Sequence, residues 1–333
     1  MKLEEVDINR AQGIRLSEEL MLNNKILKKN HAITHDDIVL LKRMNRQTVF
    51  GAWEENGDID FETALGIAAA KIAGPNLGYR IDERGFCEIV ATNDGLFEVY
   101  PDRLNKFNRF SRYFVLNTTS PFQIVKKGDI LARLEILTPI ISQDILNDLV
   151  VYLSGNTALL NVRELKKQRA AILYTSFYND DNENMHLTDS AAKLTETYRP
   201  LNLAFTIEQT CAHSGDDIGS AVEMLLKSSA EIIFIVSGLR SYTEDDIMHQ
   251  AIASIADDIV CPHIPLFGGT DLIIATKKKK KIIALPYNYA FIDAPLLENY
   301  IRLAIIKEKL QSFDFSHPET PIIESREHSE DLS

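Results

Sequence analysis

"AEIIFIVSGLRSYTEDD", Ala230 to Asp246, decides the fold. The run "AEIIFIV" is too continuous for a half-exposed strand and too short for a helix. It reads as a strand covered on both faces, the pattern of a parallel sheet with helices packed on each side. The polar loop "SGLRSYTEDD" follows, closed by Glu244, Asp245 and Asp246, and a helix is expected from Asp245 to about Ile255. Thr243 stands three residues before Asp246 in capping-box register, and carboxylates in a first turn are favoured by the helix dipole.

The same strand–loop–helix unit recurs on either side. "AAILYTS" (Ala170–Ser176) is an apolar strand entering a polar loop, with a helix expected around Ser190 to Tyr198. "NLAFTIEQT" is a second strand. Ser214 and Asp217 then cap a helix whose Ile218, Ala221, Val222, Leu225 and Leu226 share one stripe. "KKKIIALP" reads as a further strand, and "APLLENYIRLAIIKEKL" as a last helix. Strands alternating with helices imply an α/β fold, a three-layer α/β/α sandwich on a mainly parallel sheet, spanning residues 166–310.

Residues 1–165 are patterned differently and read as an α+β region of one or two small modules. Thr34 and Asp37 form a capping box ahead of Ile38, Leu41 and Met44, and "DFETALGIAAAKIAG" is a second helix ending at Gly74. Short strand-like runs follow, with a turn or tight hairpin at Asn93-Asp94-Gly95, a turn at Lys126–Asp129, and a helix from Gln143 to about Leu153. Residues 311–333 lack periodicity and read as an acidic tail.

The 333 residues are 45% hydrophobic with a net charge of −12, which argues against broad nucleic-acid binding. Cys87, Cys211 and Cys261 share no metal-like spacing and fit buried thiols in a reducing compartment. No signal-peptide core and no apolar stretch near the roughly 20 residues of a membrane span is seen, so the expected location is cytoplasmic, with no membrane partner.

Four loops leave the strand ends of the second half: Tyr174–Asn182, Ser237–Asp246, Pro265–Asp271 and Ala284–Ala290. Gly238, Gly268 and Gly269 either let backbone amides approach an anion or serve only as turns. Arg240 reads equally as a phosphate partner or a solvent-facing charge beside Glu244. Ser241 and Thr243 offer hydroxyls to a ligand, with Thr243 better placed as a cap. Asp245 or Asp246 could bind Mg²⁺, and Mg²⁺ a phosphate. Lys277 to Lys281 reads as a hairpin or strand-entry turn with a solvated face, and His213 and His249 as surface or packing residues. No dinucleotide fingerprint, phosphate loop or nucleophile elbow is present.

The order of these loops resembles the molybdopterin-binding domain of molybdenum cofactor biosynthesis enzymes. Across roughly residues 5 to 310, the chain resembles stand-alone molybdopterin-binding proteins of bacteria. "HAITHDDIVLLKRM", "ALGIAAAKIAGPNL", "NDGLFEVYPDRLNKFN" and "VLNTTSPFQIVKKGDILARLEILTPII" carry the likeness in the first half. In the second half, the family's Thr-Thr-Gly loop falls on Thr175, Ser176 and Phe177. Its Thr-Gly-Gly loop with a serine and acids falls on Ser237, Gly238, Leu239, Ser241, Asp245 and Asp246. Its proline-glycine loop falls on Gly268 and Gly269, and its Gly-Leu-Pro-Gly loop on Ala284, Leu285, Pro286 and Tyr287. The resemblance implies molybdopterin as ligand, Mg²⁺ as a helper and a homo-oligomer. Several glycines are replaced by side chains as large as Phe177 and Tyr287, and no base or nucleophile stands out. The expectation is therefore a binding protein rather than a catalyst, with a scaffold or a sensor of another small ligand as the alternative.

Overall fold

The computed structural model describes residues 2–22, 25–82, 85–110, 112–155, 158–239, 245–261, 272–285, 289–291 and 295–311. The chain divides into two compact units after Leu165.

The N-terminal unit is built from short antiparallel sheets and helices. Strand Thr48–Trp53 lies between Lys2–Asp7 and Arg15–Leu16, beside helix His35–Arg43. That helix starts where the sequence places its capping box. Thr34 Oγ1 donates to Asp37 Oδ2 at 2.7 Å, and Asp37 N donates back to Thr34 Oγ1 at 3.3 Å. Asp37 is fully buried, and Lys25 Nζ and His31 Nε2 each lie 2.7 Å from its carboxylate. A second core gathers helices Phe61–Ile72 and Gln143–Ser154 against the four-stranded sheet that contains Cys87–Ala91 and Ile130–Ile136. Asn93-Asp94-Gly95 forms a bend and no hairpin. Cys87–Ala91 and Gly95–Glu98 belong to different sheets, because the chain changes layer at that bend. The Lys126–Asp129 turn is as expected, with Gly128 at φ +96 and Asp129 Oδ2 accepting from Lys126 N.

The C-terminal unit holds β1 (Gln168–Ser176), α1 (Asp181–Tyr198), β2 (Leu203–Ala212), α2 (Gly215–Lys227) and β3 (Ile232–Ser237). It continues through α3 (Ile247–Ile255), β4 (Asp258–Cys261), β5 (Ile273–Lys277), β6 (Lys280–Ala284) and α4 (Pro295–Ile306). The sheet order is β2-β1-β3-β6-β5-β4. β2, β1, β3 and β6 are mutually parallel, while β5 runs antiparallel to both β6 and β4. All six residues of β3 are buried, which is why its sequence is a continuous apolar run. On one face, Leu173, Ile233, Ile235 and Ile282 meet the α2 stripe (Ile218, Ala221, Val222, Leu225) and Met248 and Ile252 of α3. On the other face α1 packs on β1 and β3, and α4 on β6. There Tyr198 stacks on Phe234 with centroids 6.3 Å apart.

Two helices start elsewhere than expected. α1 begins at Asp181, well before Ser190, because Asp180 Oδ1 accepts from Glu183 N at 2.8 Å and so fixes an earlier N-terminus. α3 begins at Ile247, capped by Asp246, whose Oδ1 accepts from Met248 N. The lysine run is a hairpin, with Lys278 at φ +55 between β5 and β6. It is not wholly solvated. Lys281 is buried and donates to Ile305 O at the end of α4, and Lys280 donates to Ser228 O at the end of α2. Cations there suit the negative ends of those helices.

Candidate functional site

In a sheet of order 2-1-3, the first strand sends its helix to one face and the second to the other. The crevice opens beyond the carboxyl ends of strands 1 and 3. Here those ends are Thr175–Ser176 and Ser237–Gly238. Parallel register sets Thr175 beside Ser237 on one side and beside Cys211 on the other. Gly238 N donates to Thr175 O, and His213 N donates to Ser176 O, each at 2.8 Å. Three separate strand ends are thus tied together.

At this point the apolar sheet turns polar. Thr175, Ser237 and His213 are all buried. Thr175 Oγ1 lies 2.9 Å from His213 Nδ1 and donates to Ser237 Oγ at 3.3 Å. Ser237 Oγ donates to Leu239 O at 2.8 Å and accepts from Leu239 N at 3.1 Å. Donors and acceptors match along the whole line when Nδ1 carries the imidazole proton. Burial lowers the His213 pKa, opposed by the nearby charges of Asp246 and then Glu183. Burial thus favours the neutral imidazole.

Glu183 is the second feature. It sits in the first turn of α1 and is buried, yet it reaches back beneath the loop after β1. Its carboxylate accepts from Ser176 Oγ (2.6 Å), Phe177 N (2.6 Å), Tyr178 N (2.9 Å) and Asn179 N (2.6 Å). Burial alone would push this carboxyl's pKa up, but the donors from Phe177, Ser176, Asn179 and Tyr178 together pull it below its ordinary value. These amides form an anion receptor already filled by the chain's own anion.

Gly238 belongs to the same arrangement. A Cβ on it would meet Glu183 Oε1 at 1.9 Å and Cδ at 2.6 Å. The close approach this glycine permits is to Glu183, where the sequence suggested an external anion. Above, Phe177 and Tyr178 are 54% and 64% exposed, so both rings face solvent instead of packing into the unit's core. Their rings meet edge to face at 4.9 Å, and Phe177 also faces His213 at 6.3 Å.

Of the residues singled out from the sequence, Thr175, Ser176, Ser237 and Gly238 converge here. Asp246 is near enough to act electrostatically on His213, but its side chain caps α3. Asp245 is exposed, and Gln250 Nε2 donates to its carbonyl. Ser241, Gly268, Gly269 and Pro286 lie outside the described residues, as do Arg240, Thr243 and Tyr287. Among the described residues no group of three His, Cys, Asp or Glu side chains is placed to hold a metal ion. No helix among them is long and apolar enough to cross a membrane.

Glu183 is not among the residues singled out from the sequence, and His213, read there as a surface or packing residue, is buried in the polar line. For Glu183 a signal exists, because Asp180-x-x-Glu183 has capping-box spacing. For His213 the only signal is its position directly after a strand end.

No protein-family model matches the chain, and no curated protein does. Among solved structures, the protein CinA of unknown function from Thermoplasma acidophilum is similar over 41% of this chain and 94% of its own, at 15% identity and a TM-score of 0.31. A molybdopterin biosynthesis protein from Mycobacterium abscessus is similar over 41% and 89%, at 12% identity and TM-score 0.32. The molybdopterin biosynthesis moeA protein from Pyrococcus horikoshii OT3 is similar over 92% and 74%, at 10% identity and TM-score 0.28.

Proposed function

We propose that this chain binds a small cofactor of the molybdopterin type at the carboxyl edge of β1 and β3, and that it binds without transforming it. The observation that carries the reading is the buried line His213–Thr175–Ser237 at the strand-order switch, beyond the apolar runs of β1 and β3. Buried polar groups cost stability unless they are hydrogen-bonded, and this line pairs its members with one another and ends at Leu239, on the loop after β3. The order of the four loops in the sequence supports the same ligand class. Binding is favoured over catalysis because the hydroxyls of Thr175 and Ser237 are buried and engaged, and burial pushes the free Cys211 thiol beside Thr175 up to about 11, which keeps it protonated.

Glu183 favours a second reading, a scaffold or a sensor of another small ligand, because it satisfies loop donors that a ligand's phosphate would otherwise take. Calorimetric titration of the native chain with molybdopterin and with its adenylylated form, with and without Mg²⁺, separates the two. Saturable heat supports the cofactor reading, and no heat in any combination leaves the scaffold. An Asp245→Ala/Asp246→Ala variant that loses only the Mg²⁺-dependent part would assign those acids to the ion.

A further inference from the structure

The loop after β1 presents two large aromatic side chains to solvent from a backbone that is held unusually firmly. Phe177 and Tyr178 are both more than half exposed, and together they form a sizeable apolar surface. The amides beneath them, at Phe177, Tyr178 and Asn179, donate to one buried carboxylate, which fixes the positions of both rings' attachment points. Gly238 leaves the room that carboxylate needs. Exposed aromatics on a fixed backbone lose little entropy when a ring packs on them, which is the arrangement of a stacking platform.

The electrostatics of the loop select among ligands. Its amide donors are already paired with Glu183, and among the described residues the charges that act on His213 are the carboxylates of Asp246 and Glu183. An oxyanion arriving there finds no free amide in the 177–179 segment and meets negative charge. A flat uncharged ring meets aromatic faces beside a buried polar line.

We propose that Phe177, Tyr178 and Glu183 make the loop after β1 a subsite for a planar, uncharged heteroaromatic ring and close it to phosphate. Glu183 acts as a positioning residue, holding the loop and occupying its anion receptor, while the two aromatic rings carry the contact. This subsite rests on the reading of the β1–β3 edge as a ligand site, and it names the part of the ligand that lies there. Pterins and nucleobases share the required chemistry.

Titrations of the full chain with biopterin, adenosine and inorganic phosphate test it. The exposed Phe177→Leu and Tyr178→Leu variants probe the contact without touching the core. The expected result is saturable binding of biopterin or adenosine that weakens roughly tenfold in each variant and is not competed by phosphate. Whichever of the two rings binds more tightly identifies the preferred source. Failure of both rings to bind, binding indifferent to both replacements, or competition by phosphate would each overturn the proposal. Molybdopterin failing to bind while biopterin binds would count against the proposed cofactor alone. Molybdopterin binding that ignores Phe177 and Tyr178 would count against the ring subsite alone.

Discussion

Gly238 and Glu183 show how one contact can change the meaning of a residue. Read along the chain, a glycine after a strand leaves room for a ligand or a turn. In the fold it leaves room for a carboxylate, since a methyl group there would overlap Glu183 Oε1 at 1.9 Å. Gly238→Ala is therefore expected to destabilise the C-terminal unit by about 1–3 kcal/mol through overpacking. Glu183→Ala is expected to cost a similar amount, about 1–3 kcal/mol, because it leaves the part-buried donors of Ser176, Phe177, Tyr178 and Asn179 without their carboxylate. The double variant should cost clearly less than the sum, since each change removes the other's conflict. Urea denaturation followed by hydrogen exchange in β1 and β3 measures all three. Simple additivity would deny the contact.

His213 gives a pH prediction of defined sign. Its pKa in the fold lies below the ordinary value of 6.5, so the native protein binds fewer protons than the unfolded chain between the two values. The stabilising contribution is complete above about pH 6.5 and is lost as pH falls toward the folded value. Moving from about pH 7.5 to about pH 5.5 should lower the denaturation midpoint of the native C-terminal unit more than that of His213→Gln. Glu183 acts in a lower window. Its depressed pKa contributes stability present above the ordinary carboxyl value of 4.5 and lost as pH falls through the folded value. Equal pH dependence in the native and His213→Gln proteins would remove the histidine from the account.

At the level of elements, patterns that depend on local chemistry were legible. The α2 stripe, its Ser214 cap and the fully apolar β3 can be read directly, because a helix face or a doubly covered strand writes its period into the chain. β4 and β5 were not singled out. "DIVC" is short, and "IIATK" runs straight into the lysine-rich turn, so neither carries a boundary of its own. The lysines were misjudged for a related reason. Composition suggests solvent, but the antiparallel return of β6 brings Lys280 and Lys281 to the carboxyl ends of α2 and α4. Lys281→Met keeps length and volume while removing the donor to Ile305 O. It should cost about 1.5–3 kcal/mol and raise amide exchange in the last turn of α4. Unchanged exchange there would mean the ammonium does not hold the helix end.

For the whole molecule, strand–helix alternation is enough to infer a sandwich, whereas the site depends on strand order. Thr175 and Ser237 are 62 residues apart and meet only because β1 and β3 are parallel neighbours in register. His213 joins them because β2 lies on the other side of β1. No spacing rule along the chain encodes that triangle. The central claim is that this triangle borders a ligand site. Titration of molybdopterin into the native chain and into Thr175→Val tests it most directly, because valine keeps the shape of the side chain and removes the hydroxyl bonded to both His213 and Ser237, leaving only the longer 3.4 Å contact between Ser237 Oγ and His213 Nδ1. The account predicts saturable heat for the native protein and affinity weakened roughly tenfold in the variant, through loss of the Thr175 hydroxyl's two buried hydrogen bonds. No heat with the native chain, or identical binding by both proteins, would contradict it.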